Sequence, residues 1–181
     1  RSTPLYSSAA SDVYKRQCLM FDADLIAQAT ALLARCRAAK LRIATAESCT
    51  GGMIGGALTE IAGSSDVFER GYVTYSNHAK MEVLGVSADM LREHGAVSEA
   101  AVRAMAEGAL AKSHAHISVG VSGVAGPGAS GPKPAGLVHL AAAAKGKPTI
   151  HLERNYGDIG RTSVRLATVR DALMLLAKQL T

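Results

Sequence analysis

The chain has 181 residues, 48% of them hydrophobic and 19% charged, with a formal net charge of +5. This composition predicts one globular domain with a buried core and excludes a disordered chain. No apolar run approaches the roughly 18 uncharged residues of a membrane-spanning helix, so no membrane partner is expected. Because only 4% of residues are aromatic and none is Trp, direct nucleic-acid binding is not expected either.

Residues 1–17 differ from the rest of the chain. They are rich in Ser and small residues, and they lack both apolar periodicity and the apolar core of a secretory signal. They carry +2 of the net charge, which leaves +3 for the remainder. We interpret residues 1–17 as a non-native or disordered segment and predict a single domain over residues 18–181.

Cysteine and histidine usage predicts a reducing compartment and no metal. Three Cys cannot all pair, and none has the spacing of a zinc site, which favours the cytoplasm. His114 and His116 would share one face of a strand, but the sequence offers no third ligand beside them. We therefore expect no metal and no cofactor.

Hydrophobic periodicity and turn residues predict helices that alternate with strands. In chain order the expected elements are a helix over 22–40, a strand over 41–46, a helix over 53–61, a strand over 70–75, short helices from 77 and over 88–93, a long helix from 98, strands over 117–122, 137–143 and 148–155, and a helix over 161–180. Asp22 or Asp24, Asn77 and Ser98 are the expected helix caps. About five strands with one hairpin predict a three-layer α/β/α sandwich with a mixed, mostly parallel sheet.

Three segments rich in polar residues and glycine each follow a predicted strand. They cover residues 47–52, 75–80 and 122–128. In open α/β sheets, ligands collect beyond the carboxyl ends of the strands. We therefore expect these three segments to converge on one site.

Ser48, Lys80 and Tyr75 are the candidate reactive residues of these segments, and each has a purely structural alternative. Ser48 becomes a nucleophile only beside a base, and from its own segment a helix cap by Ser48 or Thr50 is favoured at about two to one. Lys80 is the candidate base, because the field of a helix start lowers the pKa of a lysine; otherwise it is a solvated surface residue. Tyr75 either hydrogen-bonds the Ser-Lys pair or packs as an ordinary strand residue.

The glycine-rich loop over residues 123–136 can bring bare backbone close to an anion. Its sequence GVAGPG lacks the GK[ST] ending of a Walker loop, so NTP hydrolysis is disfavoured. Arg161 and Arg165 lie four residues apart on one face of the last helix, where they either hold a phosphate or form a solvated face. The phosphate interpretation is favoured for Arg161 and the solvated one for Arg165.

Six motifs in order along the chain resemble the CinA C-terminal domain family, whose enzymatic members are nicotinamide-nucleotide amidohydrolases. They are AESCTGG at 46–52, TYSNHAK at 74–80, GAVSE at 95–99, SGVAGPG at 122–128, KPAGLV at 133–138 and GDIGRTSVR at 157–165. The resemblance implies a compact α/β/α domain that converts nicotinamide mononucleotide to nicotinate mononucleotide and ammonia in pyridine-nucleotide salvage. It also implies a homo-oligomer with a small mononucleotide as its substrate.

The resemblance assigns the catalytic roles to Ser48, Lys80 and Tyr75. It implies that the nucleotide is held by Asn77, Gly126, Gly128 and Arg161. The GDIGRTSVR spacing is longer than in many relatives, so Arg161 and Arg165 compete for one role. From the chemistry of acyl transfer, the backbone N–H groups of Thr50, Gly51 and Gly52 are expected to stabilise the oxyanion.

Two other functions stay open from the sequence. One is a non-catalytic nucleotide-binding or regulatory module, which would bind the nucleotide without releasing ammonia. The other is a Ser-Lys hydrolase that acts on a different amide or ester, which a panel of substrates would separate.

Overall fold

The computed structural model describes residues 20–181, and the N-terminal segment over residues 1–17 lies outside them. The helices are α1 (Ala23–Ala38), α2 (Met53–Thr59), α3 (Asn77–Leu84), α4 (Ala88–His94), α5 (Glu99–Ala111) and α6 (Arg161–Gln179), with a 3₁₀ turn at Ser64–Asp66. The strands are β1 (Ile43–Glu47), β2 (Phe68–Val73), β3 (Ile117–Gly123), β4 (Leu137–Ala144) and β5 (Lys147–Asn155). Each predicted element is present, with ends that differ by no more than two residues.

The five strands form one mixed sheet in the order β2-β1-β3-β4-β5. β1 pairs in parallel with both β2 and β3, whereas β3–β4 and β4–β5 are antiparallel. Two of the four strand pairings are therefore parallel, so the sheet is not mostly parallel as expected. The chain reverses direction twice, between β3 and β4 and in the predicted hairpin between β4 and β5. The predicted α/β sandwich with a mixed sheet is confirmed.

Helices cover both faces of the sheet and give the domain its three layers. One layer contains α1, α2 and α6, whose apolar residues pack with Ile43, Val119 and Leu140 of the sheet. The other layer contains α3, α4 and α5, which pack on Ala44 and Ala46 of β1, and α5 also packs on Ala141 and Ala143 of β4. No helix within residues 20–181 is both long and apolar enough to cross a membrane.

Side-chain caps fix where four of the helices within residues 20–181 begin, including α4, where Ser87 Oγ accepts from the N–H of Met90. Asp22 Oδ1 accepts a hydrogen bond from the N–H of Leu25, and Ser98 Oγ caps α5, as predicted. The prediction for Asn77 is wrong, because the cap of α3 is Ser76, whose Oγ accepts from the N–H of Ala79. Ser76 has the extended backbone of a cap residue, and Asn77 is already helical.

β1 and β2 end at the same level of the sheet, and β3 continues two residues further, to Gly123. Glu47, the last residue of β1, lies opposite Val73 of β2 and Val121 of β3. β2 begins and ends two residues before the prediction, so Tyr75 lies beyond its end. The three polar segments consequently leave the sheet side by side.

Candidate active site

A cavity of about 310 Å³ lies beyond the carboxyl ends of these strands. All three polar segments contribute to its wall, as does the start of α6. The predicted site residues on the wall are Ser48, Tyr75, Asn77, Lys80, Gly126, Gly128 and Arg161. The expected convergence of the three segments is therefore confirmed.

Ser48 and Lys80 meet at the buried end of this cavity. Lys80 Nζ lies 3.1 Å from Ser48 Oγ and donates a hydrogen bond to the carbonyl oxygen of Thr74 at 2.8 Å. Lys80 is only 1% exposed and Ser48 only 9%. Lys80 is thus not the solvated surface lysine of the alternative interpretation.

Burial lowers the pKa of the Lys80 amine below its ordinary value, and the neighbouring Cys49 opposes this shift. Within residues 20–181 no carboxylate lies within ion-pair distance of Lys80 to favour its charged form. The expected cause was the field of a helix start, but Lys80 is the fourth residue of α3, and desolvation is the larger effect. A neutral amine beside a hydroxyl is the arrangement of a general base and its nucleophile.

The residues that follow β1 do not use Ser48 or Thr50 as a helix cap. The cap position of α2 is Gly52, which has a left-handed backbone (φ +93°) and no side-chain cap. The N–H of Ser48 donates to the carbonyl oxygen of Val121, which ties the serine to β3. The cap interpretation of the two hydroxyl residues is therefore wrong.

Glu47 performs the capping instead, and sequence reasoning did not single it out. Its buried carboxylate accepts hydrogen bonds from the N–H groups of Gly52, Ile54 and Gly55 at 2.9–3.0 Å. An acidic residue just before a helix start is the signal that could have revealed this role. The carboxylate closes the N-terminus of α2 to a substrate anion.

The expected oxyanion donors therefore need correction. The N–H of Gly51 donates to the carbonyl oxygen of Ser48, and the N–H of Gly52 donates to Glu47. Thr50, Gly51 and Gly52 do not line the cavity, whereas Cys49 does. In the described part of the chain, the N–H groups of Cys49 and Thr50 donate to no other residue, and of these two residues only Cys49 lines the cavity, so its N–H is the remaining candidate donor.

Cys49 itself is a poor nucleophile despite its place in the wall. Burial raises the pKa of its thiol to about 12, so the thiol stays protonated at neutral pH. Among residues 20–181, no group of three or more His, Cys, Asp or Glu side chains could hold a metal ion.

Arg161 and Tyr75 form the rim of the cavity. Arg161 donates to the Tyr75 hydroxyl and to the carbonyl oxygen of Gly126, each at 2.9 Å. Tyr75 is 60% exposed, and its hydroxyl makes no hydrogen bond to Ser48 or Lys80. The structure therefore places Tyr75 with the arginine instead of with the Ser-Lys pair.

Arg165 is directed elsewhere. Its Nη2 donates to the carbonyl oxygen of Thr50 at 2.7 Å, and Arg165 does not line the cavity. The two arginines that competed for one role in the sequence are thus separated by the structure. Only Arg161 is placed to meet a ligand in the cavity.

The glycine-rich loop forms the wall of the cavity next to Arg161, which donates to the carbonyl oxygen of Gly126. Gly126 and Gly128 have left-handed backbones, and their N–H groups have no acceptor within the described residues. At its end the loop is fixed to the segment before α6, since the N–H of Tyr156 donates to the carbonyl oxygen of Gly136. A Cβ on Gly136 would lie only 2.2 Å from the carbonyl oxygen of Gly157, so these two backbones touch.

Sequence comparison identifies relatives over nearly all of the described chain. The model of the CinA C-terminal domain family matches residues 25–180. A CinA-like protein of Syntrophobacter fumaroxidans is 48% identical over 141 residues, which is 77% of this chain and 33% of that protein. A CinA-like protein of Synechococcus sp. RCC307 is 48% identical over 162 residues, 88% of this chain and 39% of that protein. The chain spans about a third of the length of these curated relatives.

Solved structures have the same fold. The competence/damage inducible protein CihA from Agrobacterium tumefaciens is 51% identical, with a TM-score of 0.87 over 89% of this chain and 98% of that one. A competence-damaged protein (CinA) superfamily protein from Escherichia coli is 34% identical, with a TM-score of 0.81 over 86% of this chain and 90% of that one. On both sequence and structure, the chain belongs to the CinA C-terminal domain family.

Proposed function

We propose that the chain is an amidohydrolase that converts nicotinamide mononucleotide to nicotinate mononucleotide and ammonia, as part of pyridine-nucleotide salvage. The observation that carries the proposal is the buried contact of 3.1 Å between Lys80 Nζ and Ser48 Oγ. A serine becomes a nucleophile when a neutral base lies within hydrogen-bond distance, and burial lowers the pKa of this lysine. Family membership agrees with this chemistry.

The reaction begins at the hydroxyl of Ser48. Neutral Lys80 takes the proton of Ser48 while Oγ attacks the carboxamide carbon and forms a tetrahedral intermediate. The bond from Lys80 to the Thr74 carbonyl holds the amine in place as it gains its charge. Lys80 then passes the proton to the departing nitrogen, which leaves as ammonia and gives an acyl-enzyme on Ser48.

The second half of the reaction repeats these steps with water. Lys80 takes a proton from the attacking water, which adds to the acyl carbon, and returns the proton to Ser48 Oγ as nicotinate mononucleotide leaves. In both halves the oxyanion is stabilised by the N–H group of Cys49, which lines the cavity and donates to no other residue in the described part of the chain. No step needs a group from outside the chain apart from water.

The exposed rim supplies the charge that recognises the nucleotide. The phosphate is held by the Arg161 guanidinium and by the N–H groups of Gly126 and Gly128, because these donors line the cavity without a carboxylate partner. Asn77 offers a side-chain amide that has no hydrogen bond inside the described residues. We place the reaction in the cytoplasm, where the free thiols of Cys36 and Cys49 stay reduced.

The test is ammonia release from nicotinamide mononucleotide by the wild-type chain and by Ser48→Ala. We expect steady release by the wild type and none above background from the variant, with unchanged circular dichroism. Nicotinamide riboside, which lacks the phosphate, serves as the control for recognition at the rim. Equal release by both proteins would remove Ser48 from the mechanism, whereas tight binding without release would indicate a nucleotide-binding module.

A further inference from the structure

The two arginines of α6 that lie one turn apart face different parts of the molecule. Arg161 reaches the rim of the cavity, whereas Arg165 contacts the backbone of the turn that carries Ser48. The bond from Arg165 Nη2 to the Thr50 carbonyl oxygen is short, at 2.7 Å. A Cβ on Gly51 would lie 3.3 Å from the same Nη2, so the guanidinium lies close against the turn.

This turn is held from two sides. Glu47 accepts the N–H groups of Gly52, Ile54 and Gly55, which fixes its end at the start of α2. Arg165 is the side chain that holds the middle of the turn through a carbonyl oxygen, within residues 20–181. With both contacts in place, the N–H group of Cys49, which lines the cavity, donates to no other residue in the described protein.

We infer that Arg165 is a positioning residue of the reaction: it fixes the Thr50 peptide and thereby the Ser48 hydroxyl and the N–H group of Cys49, without touching the substrate. The inference rests on the proposed function for its kinetic readout. A displacement of a reacting group by about 1 Å costs an enzyme roughly a hundredfold in rate. A side chain that holds the nucleophile turn therefore acts mainly on kcat.

A role in holding the fold together does not explain the state of Arg165. Its Nε is buried and has no hydrogen-bond partner within the described residues, and the same holds for the hydroxyl of Thr50. α6 is already fixed to the sheet by fully buried apolar residues such as Val164, Val169 and Leu173. Arg165 thus buries an Nε group without a partner in residues 20–181 while its guanidinium makes one hydrogen bond to the turn, to the carbonyl oxygen of Thr50.

The experiment compares four proteins by steady-state kinetics of ammonia release: wild type, Arg165→Met, Arg165→Lys and Arg170→Met. Arg170 is the matched control, because it lies on the same helix and pairs with Asp22, away from the cavity. We expect Arg165→Met to lower kcat by about tenfold to a hundredfold with KM within roughly twofold. Arg165→Lys restores part of kcat because its ammonium can donate to the same carbonyl, and Arg170→Met equals the wild type.

A second readout does not depend on the substrate. A fluorophosphonate probe labels an activated serine, and we expect labelling of Ser48 in Arg165→Met to slow in parallel with kcat. If the wild type reacts with the probe but releases no ammonia from the nucleotide, the proposed function fails, while slower labelling of Arg165→Met still supports the inference.

Three results would overturn the inference. A rise in KM at unchanged kcat would show that Arg165 binds the substrate. Wild-type kcat and labelling in Arg165→Met would show that the turn does not need it. A loss proportional to the unfolded fraction in circular dichroism, with no gain in Arg165→Lys, would leave only a structural role.

Discussion

The Ser48–Lys80 end of the cavity and the Arg161–Tyr75 rim differ in burial and in what holds them. The inner pair is almost fully buried, and its partners are backbone groups of β3 and of the residue that follows β2. The rim depends on one arginine that links an exposed tyrosine to a loop carbonyl. Proton transfer needs fixed distances and a desolvated amine, whereas recognition of a charged ligand needs access from water.

This difference predicts that changes at the two ends have separable kinetic effects. Substitutions at the inner end remove the chemical step and change kcat. Substitutions at the rim weaken binding and change KM.

Replacing Lys80 by Met is expected to have the largest effect. Methionine fills a similar volume without a base, so kcat for ammonia release falls by about 10²–10⁴-fold. The fold is retained, because the variant no longer buries an amine whose charged form is disfavoured there. Initial rates measured beside a thermal melt check both points, and a variant that stays folded with wild-type kcat would exclude Lys80 as the base.

The pH dependence of kcat comes next in size. Because the folded-state pKa of Lys80 lies below its ordinary value of 10.5, the rate rises with pH through that lowered pKa and falls about tenfold per unit below it. Between the lowered pKa and 10.5 the unfolded chain binds more protons than the folded chain, so the free energy of unfolding rises with pH in that window. Below the lowered pKa, the stability lost by burying the charged Lys80 amine has its full value. Lys80→Met is expected to lose this rise in urea titrations, and a wild-type rate that stays level from neutral to alkaline pH would contradict the assignment.

Replacing Arg161 by Met is expected to have a smaller effect, confined to KM. The variant loses a charge-assisted contact at an exposed site, so KM for the mononucleotide rises about tenfold while kcat changes little. KM for nicotinamide riboside is the control, since it should not change when the phosphate is absent. A fall in kcat at constant KM would move Arg161 into the chemical step.

The smallest expected effect is that of Tyr75→Phe. Removing the hydroxyl deletes one acceptor of Arg161 and leaves the ring in place, so KM rises by about threefold. Tyr72→Phe is the matched control, because the Tyr72 hydroxyl donates to the carbonyl oxygen of Lys112 and does not line the cavity. A large loss of kcat in Tyr75→Phe would show that Tyr75 takes part in the chemical step with Ser48 and Lys80.

The fold was predictable from the sequence because local signals agree with the tertiary structure. Apolar periodicity gave each helix and strand to within two residues, and the positions of the polar segments after strands gave the location of the cavity. The cap of α3 was missed because Ser76 and Asn77 are adjacent and both residue types cap helices. The share of parallel pairing was overestimated because strand order is a long-range property.

The inner end of the site was less accessible to sequence reasoning than its motifs suggest. From the residues alone, a helix cap was the favoured role for Ser48, and only the fold brings Lys80 within reach of it. Arg161 and Arg165 share a helix face, and their separate partners depend on how α6 lies over the turn and the loop. Glu47 was missed because its three partners follow it along the chain, where only the geometry of the turn directs their N–H groups to one carboxylate.

The contact between Gly136 and Gly157 has a consequence for how this domain can change its ligand. Since the two backbones touch, the end of the glycine-rich loop and the segment that leads to Arg161 cannot be redesigned independently. A loop transplanted from a relative would need its matching 156–160 segment to seat correctly. A change of ligand selectivity in this domain therefore requires paired replacements on both sides of the contact between Gly136 and Gly157.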